Sequence, residues 1–237
     1  MKLLIDMGNS RLKWAVWQNG QLNENGVLLN EQVDLLLLAS VWANLNPTEV
    51  LISCVSTNQL LFTVKNALYE LWAIEPKVAR SEALAVGVKN GYVEPETLGV
   101  DRWLALIAAR HFYQGSVCVA DCGTAITIDV LNADGEHLGG FISAGIGLMK
   151  QALSRGTNAL PLVDALDDVH AANSTKAAIH SGTVLAAVGL IETVLAREAE
   201  NFQLVLTGGD AELIAPLLSV TPVINKELVL FGLVLLF

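Results

Sequence analysis

Cations are scarce in this chain. Its 14 Lys and Arg, spread along the sequence, face 24 Asp and Glu and leave a formal charge of −10. A surface that grips nucleic acid needs clustered positive charge to meet the phosphate backbone, so that class of partner is excluded. A small anionic substrate is still allowed, because backbone amides, one or two local cations and a bound divalent metal can reverse the field at one place. Apolar runs of bilayer length are also missing, although 53% of the residues are hydrophobic. This predicts no membrane span and ample material for a core. The start reaches Asp6 directly after Leu3, Leu4 and Ile5, too soon for a signal-peptide core. The C-terminal run Leu228 to Phe237 is too short to span and is expected to pack on the body or on a second subunit. Cysteine is sparse: Cys54, Cys118 and Cys122 are odd in number and lack metal-ligand grouping, which predicts free buried thiols in a reducing cytoplasm. The histidines His111, His137, His170 and His180 share no spacing, so no Ser-His-Asp arrangement can be argued. No Walker A pattern and no strand-linked GxGxxG occurs, which weakens P-loop and Rossmann readings.

What is present centres on Val117 to Val130, VCVADCGTAITIDV. An apolar run ends on the carboxylate of Asp121, turns through Cys122 and Gly123, and resumes as an alternating run, the pattern of a β-hairpin with an acid at its tip. Gly123 lets backbone amides approach a ligand, Thr124 adds a hydroxyl, and Asp121 can hold a cation. The same device occurs in Leu3 to Trp17. Asp6 and Asp121, Gly8 and Gly123, and the turns Asn19-Gly20 and Asp134-Gly135 are each separated by 115 residues. One such hairpin alone reads as an ordinary polar turn. Repetition in constant register points instead to a duplicated unit, two similar halves, residues 1–114 and 115–237, sharing a cleft.

Each half reads as three antiparallel strands followed by alternating helix and strand, an α/β arrangement. In the first half, strands are expected to Leu29 and at Glu49–Val55 and Lys77–Ala79, with helices at Glu31–Leu45 and Asn58–Trp72. In the second, strands are expected at Val117–Asp121, Ala125–Leu131, His137–Phe141, Gln203–Leu206 and Pro222–Ile224, with a long helix over Ser174–Glu198. Between the halves, Val88 to Arg102 is rich in Gly and Pro until a helix begins near Asp101. Taken alone, Asp101 reads first as a helix cap. The Gly-rich stretch His137 to Ala152 suggests a close backbone approach or a hinge, against a plain strand-to-helix connector. Along the long helix, Ala178, Gly182 and Ala186 form a small-residue stripe, and Thr183 beside it would face a substrate only if that stripe lined the cleft. Gly208-Gly209 at a strand end suits a phosphate or adenosine neighbour, and equally an ordinary βα turn.

Two acidic-glycine hairpins in α/β halves resemble the actin, sugar-kinase and heat-shock-chaperone ATPase superfamily, which implies duplicated ribonuclease-H-like domains with ATP between them. More narrowly, DMGNSRLKW, GYVEPETLGVDR, DCGTAIT, GGFISAG, SGT and TGGD are similar, in order and over nearly the whole chain, to type III pantothenate kinase. That resemblance implies transfer of the γ-phosphoryl of ATP to the primary hydroxyl of pantothenate, the first step of coenzyme A synthesis. It further implies that Asp6, Met7, Gly8, Asn9, Ser10, Arg11, Leu12 and Lys13 wrap the nucleotide phosphates, with Asp6 near Mg²⁺, and that Thr124 contacts ATP. Asp121 would hold a monovalent cation, K⁺ or NH₄⁺, and Asp101 would be the catalytic base. Tyr92, Gly99, Val100, Asp101, Arg102 and Thr183 would contact pantothenate in a homodimer. Arg102 suits the substrate carboxylate, since a guanidinium fork matches a planar anion. Ser10 stands where the family usually has threonine, Ala144 where it commonly has proline, and Cys122 at a variable position. None of these removes an expected catalytic atom. The competing readings are a non-catalytic nucleotide-binding regulator of the same fold and a sugar kinase of the superfamily.

Overall fold

The computed structural model describes residues 1–166, 168–198 and 202–237. They group into two compact units, Met1–His111 with Glu227–Phe237, and Phe112–Lys226.

In the first unit, β1 (Lys2–Met7), β2 (Arg11–Gln18), β3 (Gln21–Leu29), β4 (Glu49–Cys54) and β5 (Lys77–Val78) form one sheet in the order β3-β2-β1-β4-β5. β1 to β3 are antiparallel, while β4 and β5 run parallel to β1. Alternation along β1, β2 and β4 sends Leu3, Ile5, Met7, Leu12, Trp14, Val16, Val50 and Ile52 to one face. Against it pack α1 (Leu35–Trp42) and α2 (Asn58–Trp72), through Leu38, Trp42, Leu60, Val64, Ala67 and Leu68. Helix α1 is shorter than the predicted span. Asp34 is the residue able to cap it, its Oδ1 accepting from Leu37 N at 2.8 Å, so the preceding residues fold as a 3-10 turn over Asn30–Gln32. The bounds of α2 match the sequence reading: Thr57 Oγ1 accepts from Leu60 N, and Ala73 closes the other end in the left-handed conformation.

A short hairpin, β6 (Leu84–Ala85) and β7 (Val88–Lys89), precedes a loop and then α3 (Val100–Phe112). The second unit repeats the plan with β8 (Val117–Cys122), β9 (Ala125–Leu131), β10 (His137–Ala144), β11 (Gln203–Thr207) and β12 (Val223–Ile224), in the order β10-β9-β8-β11-β12. Its core joins Cys118, Ala120, Ile126, Ile128, Val130, Leu204 and Leu206 to α5 (Thr175–Glu198) through Val184, Ala187, Val188, Ile191 and Val194. Helix α4 (Ile146–Gly156) follows β10, and α6 (Ala211–Ile214) follows β11.

Four details differ from the sequence reading or go beyond it. The turn after β2 has Asn19 and Gly20 both at positive φ, whereas at the matching turn after β9 only Gly135 is, so the two copies use different turn chemistries. The register bulge lies in the third strand of each unit, in β3 between Leu22 and Asn25 and at Leu138 of β10, where Gly139 takes φ +117; of the glycines read there as a close approach or a hinge, Gly139 and Gly140 lie within the strand. Finally, α5 has the length and composition of a membrane span, mean hydropathy 1.6 over an 18-residue window. Val184, Ala187, Val188, Ile191 and Val194 form the face it lays on the second sheet. The C-terminal helix α7 (Leu228–Leu236), placed with the second half by sequence, groups with the first unit. There Gly232 lets it approach α3 so closely that a Cβ would meet Leu104 O.

Candidate active site

In the first unit the chain leaves β1 at Met7, turns through Gly8, Asn9 and Ser10, and returns in β2. Asp6 pairs with Lys13 across the hairpin and with Ser53 across the parallel β1–β4 pair. Met7 and Leu12 are fully buried in the core, so only their backbone lies at the turn. Asn9, Ser10 and Arg11 are exposed, and Gly8 N donates to Arg11 O at 3.0 Å. Asp6 itself is 8% exposed.

The second unit has the same arrangement with different residues. Asp121 pairs with Thr127 across the hairpin and with Thr207 across the parallel β8–β11 pair. A carboxylate beside a hydroxyl on a parallel neighbour therefore occurs twice, as Asp6–Ser53 and Asp121–Thr207. The sequence reading missed both hydroxyls, because β4 and β11 lie far from the hairpins along the chain. Gly208, at φ +89, follows Thr207, and its Cα lies against Asp121 Oδ1 and the Cys122 backbone. Asp210 N donates to Cys122 O at 2.9 Å, tying the TGGD turn to this hairpin. Burial first, then the carboxylates of Asp121 and Asp210, pushes the Cys122 thiol up to about 12. Cys54, at the end of β4, is raised mainly by burial, with Asp6 adding to it. Both thiols are therefore poor nucleophiles at neutral pH.

The third component is the segment before α3. Asp101 lies in the first turn of that helix, one residue inside its start, and its Oδ1 accepts from Arg102 N at 2.9 Å. Gly99 lies so near that an added Cβ would be 2.7 Å from Asp101 Oδ1. Arg102 is 6% exposed; its Nη1 donates to Tyr92 OH at 2.7 Å, and its guanidinium lies 5.5 Å from the centroid of the Tyr92 ring. Tyr92, Gly99, Val100, Asp101 and Arg102 all lie in the first unit. Two residues the sequence reading missed hold the loop. Buried Asn90 donates from Nδ2 to the carbonyls of Glu82 and Pro95 and accepts from Tyr92 N, and Ser81 Oγ donates to Leu98 O at 2.8 Å. Asn90-Gly91 is a turn dipeptide, the one signal that could have drawn attention to it.

Thr183 differs from the rest. It is 5% exposed on α5, and its hydroxyl donates back to Ile179 O and His180 O within its own helix. The stripe of Ala178, Gly182 and Ala186 is exposed. Nearby, Lys150 of α4 is buried, its Nζ donating to Asp164 O at 2.9 Å and meeting His180 Nδ1 at 3.0 Å. Desolvation lowers its pKa, while Asp210 and Asp164 oppose that shift. No periodic signal in the sequence marks this pair.

A divalent ion suits the Asp6 corner. Ser53 Oγ is completely buried and has no hydrogen-bond partner among the described residues, so a hard oxygen donor waits beside a carboxylate. Among the described residues no three His, Cys, Asp or Glu side chains cluster as a metal cage. Mg²⁺ does not require one, since it keeps several waters and is held by one or two carboxylates plus the phosphates of a nucleotide.

Comparison with known proteins identifies the family. A family model described as type III pantothenate kinase matches residues 2–197. The chain belongs to the type III pantothenate kinase family. A relative of that name from Nitrosococcus oceani is 36% identical over 92% of this chain and 86% of its own length. Another, from Chromobacterium violaceum, is 39% identical over 98% of each. Among solved structures, the activator of the 2-hydroxyisocaproyl-CoA dehydratase from Clostridium difficile with bound ADPNP is 9% identical with a TM-score of 0.56, over 99% of this chain and 92% of that one. At that identity the likeness speaks for the fold alone, the α/β fold of the actin-like ATPases anticipated from the paired hairpins. The pantothenate kinase motifs quoted from the sequence lie at the two hairpins, before α3, at the end of β10, on α5 and after β11.

Proposed function

We infer that this protein is a kinase that transfers the γ-phosphoryl group of ATP to the primary hydroxyl of pantothenate, giving 4'-phosphopantothenate and opening coenzyme A synthesis. The observation that carries this is the family match over residues 2–197, with the family's motifs folded into acid-tipped hairpins and the Gly99–Arg102 helix start.

Phosphoryl transfer runs through a loose transition state, so a protein catalyses it chiefly by alignment and charge neutralisation. In our reading the Asp6–Lys13 hairpin receives the phosphates, through backbone amides, the Ser10 hydroxyl and the Lys13 ammonium, and Thr124 touches the nucleotide from the second hairpin. Asp6 and Ser53 would hold Mg²⁺ or its waters; when bound, that ion neutralises charge on the β- and γ-phosphoryl oxygens. Asp121 would hold the monovalent cation, K⁺ or NH₄⁺. Asp101 is the base: it accepts a hydrogen bond from the pantothenate hydroxyl and takes its proton late, so an ordinary carboxylate is basic enough. Arg102, stacked on Tyr92, would meet the pantothenate carboxylate, with Gly99 and Val100 shaping the approach.

We further propose a cytoplasmic homodimer. Edge strand β10 is exposed on both faces, with Phe141 40% and Ile142 65% exposed, and Leu185 of α5 is 51% exposed. A bare apolar edge is a liability that a second copy would cover. The family resemblance also carries Thr183, on the same helix, over as a pantothenate contact.

The test is ADP release by the purified protein with MgATP, with and without pantothenate, and with and without K⁺. Pantothenate-dependent, K⁺-stimulated turnover is expected. ATP consumption on a sugar but none on pantothenate, or ATP binding without any turnover, would overturn the reading.

A further inference from the structure

The end of the third strand presses on the acidic hairpin in both units, by different means. In the first unit Asn30, directly after β3, donates from Nδ2 to Gly8 O at 2.8 Å and to Ser56 Oγ at 3.3 Å, across 22 and 26 residues of chain, and its backbone N donates to Ser10 O at 3.0 Å. Its counterpart 115 residues on is Gly145. Gly145 N donates to Thr124 O at 3.0 Å, and a Cβ there would overlap the carbonyls of Gly123 and Thr124. Gly123 and Gly8 are themselves repeat partners. The second hairpin turn is one residue shorter, Gly123 N donating to Ala125 O where Gly8 N donates to Arg11 O, so Thr124 takes the place of Ser10 and the same backbone bond is present twice. In the second unit the remaining space is closed by direct contact with a glycine, and in the first it is filled by a side-chain amide.

We propose that Asn30 is a positioning residue for phosphoryl transfer, the brace that holds the Gly8–Ser10 turn in its nucleotide-binding shape. This rests on the reading that the Asp6–Lys13 hairpin receives the phosphates. A carbonyl oxygen can only accept, so Gly8 O requires an N–H or O–H donor, and among the side chains of this size an asparagine amide supplies two N–H groups, one for Gly8 and one for Ser56. Pulling Gly8 O towards β3 turns the peptide so that the following amide faces away from the sheet, towards the exposed tip at Asn9. Fixing a turn before the ligand arrives removes an ordering cost that would otherwise weaken binding. Asn30 touches no reacting atom in this account and acts through the turn.

The test is titration of the full-length protein with Mg²⁺ and a non-hydrolysable ATP analogue, with hydrogen exchange on the same samples. Asn30→Ala is expected to weaken the analogue about five- to tenfold, the size of one lost hydrogen bond. Asn30→Asp, equal in shape but facing Gly8 O with an acceptor, is expected to weaken it at least as much. Exchange should speed up in the segment around Gly8 to Leu12 and stay unchanged around Gly123 to Ile126, and the KM for pantothenate should not move. Lys13→Ala is the control for the hairpin itself. If it weakens the analogue while both Asn30 variants bind within about twofold of the parent, the brace is wrong and the hairpin reading stands. If Lys13→Ala has no effect either, the hairpin reading fails and the brace falls with it. Should the Asn30 variants not fold, Ser56→Ala, which removes one anchor of the amide from a half-exposed position, decides: about a two- to threefold weakening supports the brace, and unchanged affinity overturns it.

Discussion

Gly208 lies against Asp121 so closely that a methyl group on its Cα would overlap Oδ1 of the carboxylate. The backbone there is at φ +89, a conformation that residues with a side chain rarely adopt. Two independent constraints therefore demand glycine, one conformational and one steric. Gly208→Ala is expected to destabilise the fold by about 1–3 kcal/mol. It should also displace Asp121, so that a K⁺ titration of activity shifts to higher concentrations. Unchanged thermal unfolding and an unchanged K⁺ profile would show that the close approach carries no function.

Asp101→Asn keeps the shape of the helix start and removes the base. Turnover is expected to fall by about 100- to 10,000-fold. Nucleotide affinity and the unfolding temperature should remain at the parent values, because Asn can still accept from Arg102 N through its side-chain oxygen. Steady-state kinetics beside a melting curve make the check, and a retained kcat would remove Asp101 from the role of base.

Arg102→Lys keeps the charge but loses the planar fork that lies over the Tyr92 ring and donates to its hydroxyl. A hydrogen bond to a charged group is worth roughly 1.5–3 kcal/mol, so the KM for pantothenate is expected to rise about 10- to 100-fold. The KM for ATP should be little changed. Equal rises in both would mean that Arg102 supports the helix and does not meet the substrate.

The thiols make a pH prediction. Cys118 and Cys122 are pushed up from 9.0 to about 12, in both cases chiefly by burial. In the unfolded chain they ionise near their ordinary value, so the native state retains protons that the unfolded state has already released. Their stabilising contribution is complete below about pH 9 and is lost as the pH rises towards 12. Urea midpoints are expected to fall from pH 8.5 to pH 10.5, less steeply in Cys118→Ala than in the parent protein. At pH 8 a chromogenic thiol reagent should label neither residue until the fold opens.

Much of this architecture could be read directly from the chain. Strand order in each half follows from period-two alternation broken by turn pairs, and α2 from an uninterrupted amphipathic period with a Thr cap. The hairpin acids and the GVDR segment were legible because each is a contiguous motif. The partners of those motifs were not. Ser53 stands opposite Asp6, Thr207 stands opposite Asp121 and Asn90 holds Tyr92 only because strand pairing or a loop closure brings them together, and a lone Ser, Thr or Asn carries no periodic signal.

The sequence by itself determined the repeat, the fold class and the residue types at the site, because local periodicity, turn chemistry and motif spacing are properties of neighbouring residues. Only the tertiary structure decided which hydroxyl stands beside each acid, that an amide closes one hairpin and a bare glycine the other, and that the last helix groups with the first unit. Those outcomes depend on register and close packing across tens of residues, where a single methyl group decides whether two backbones can touch.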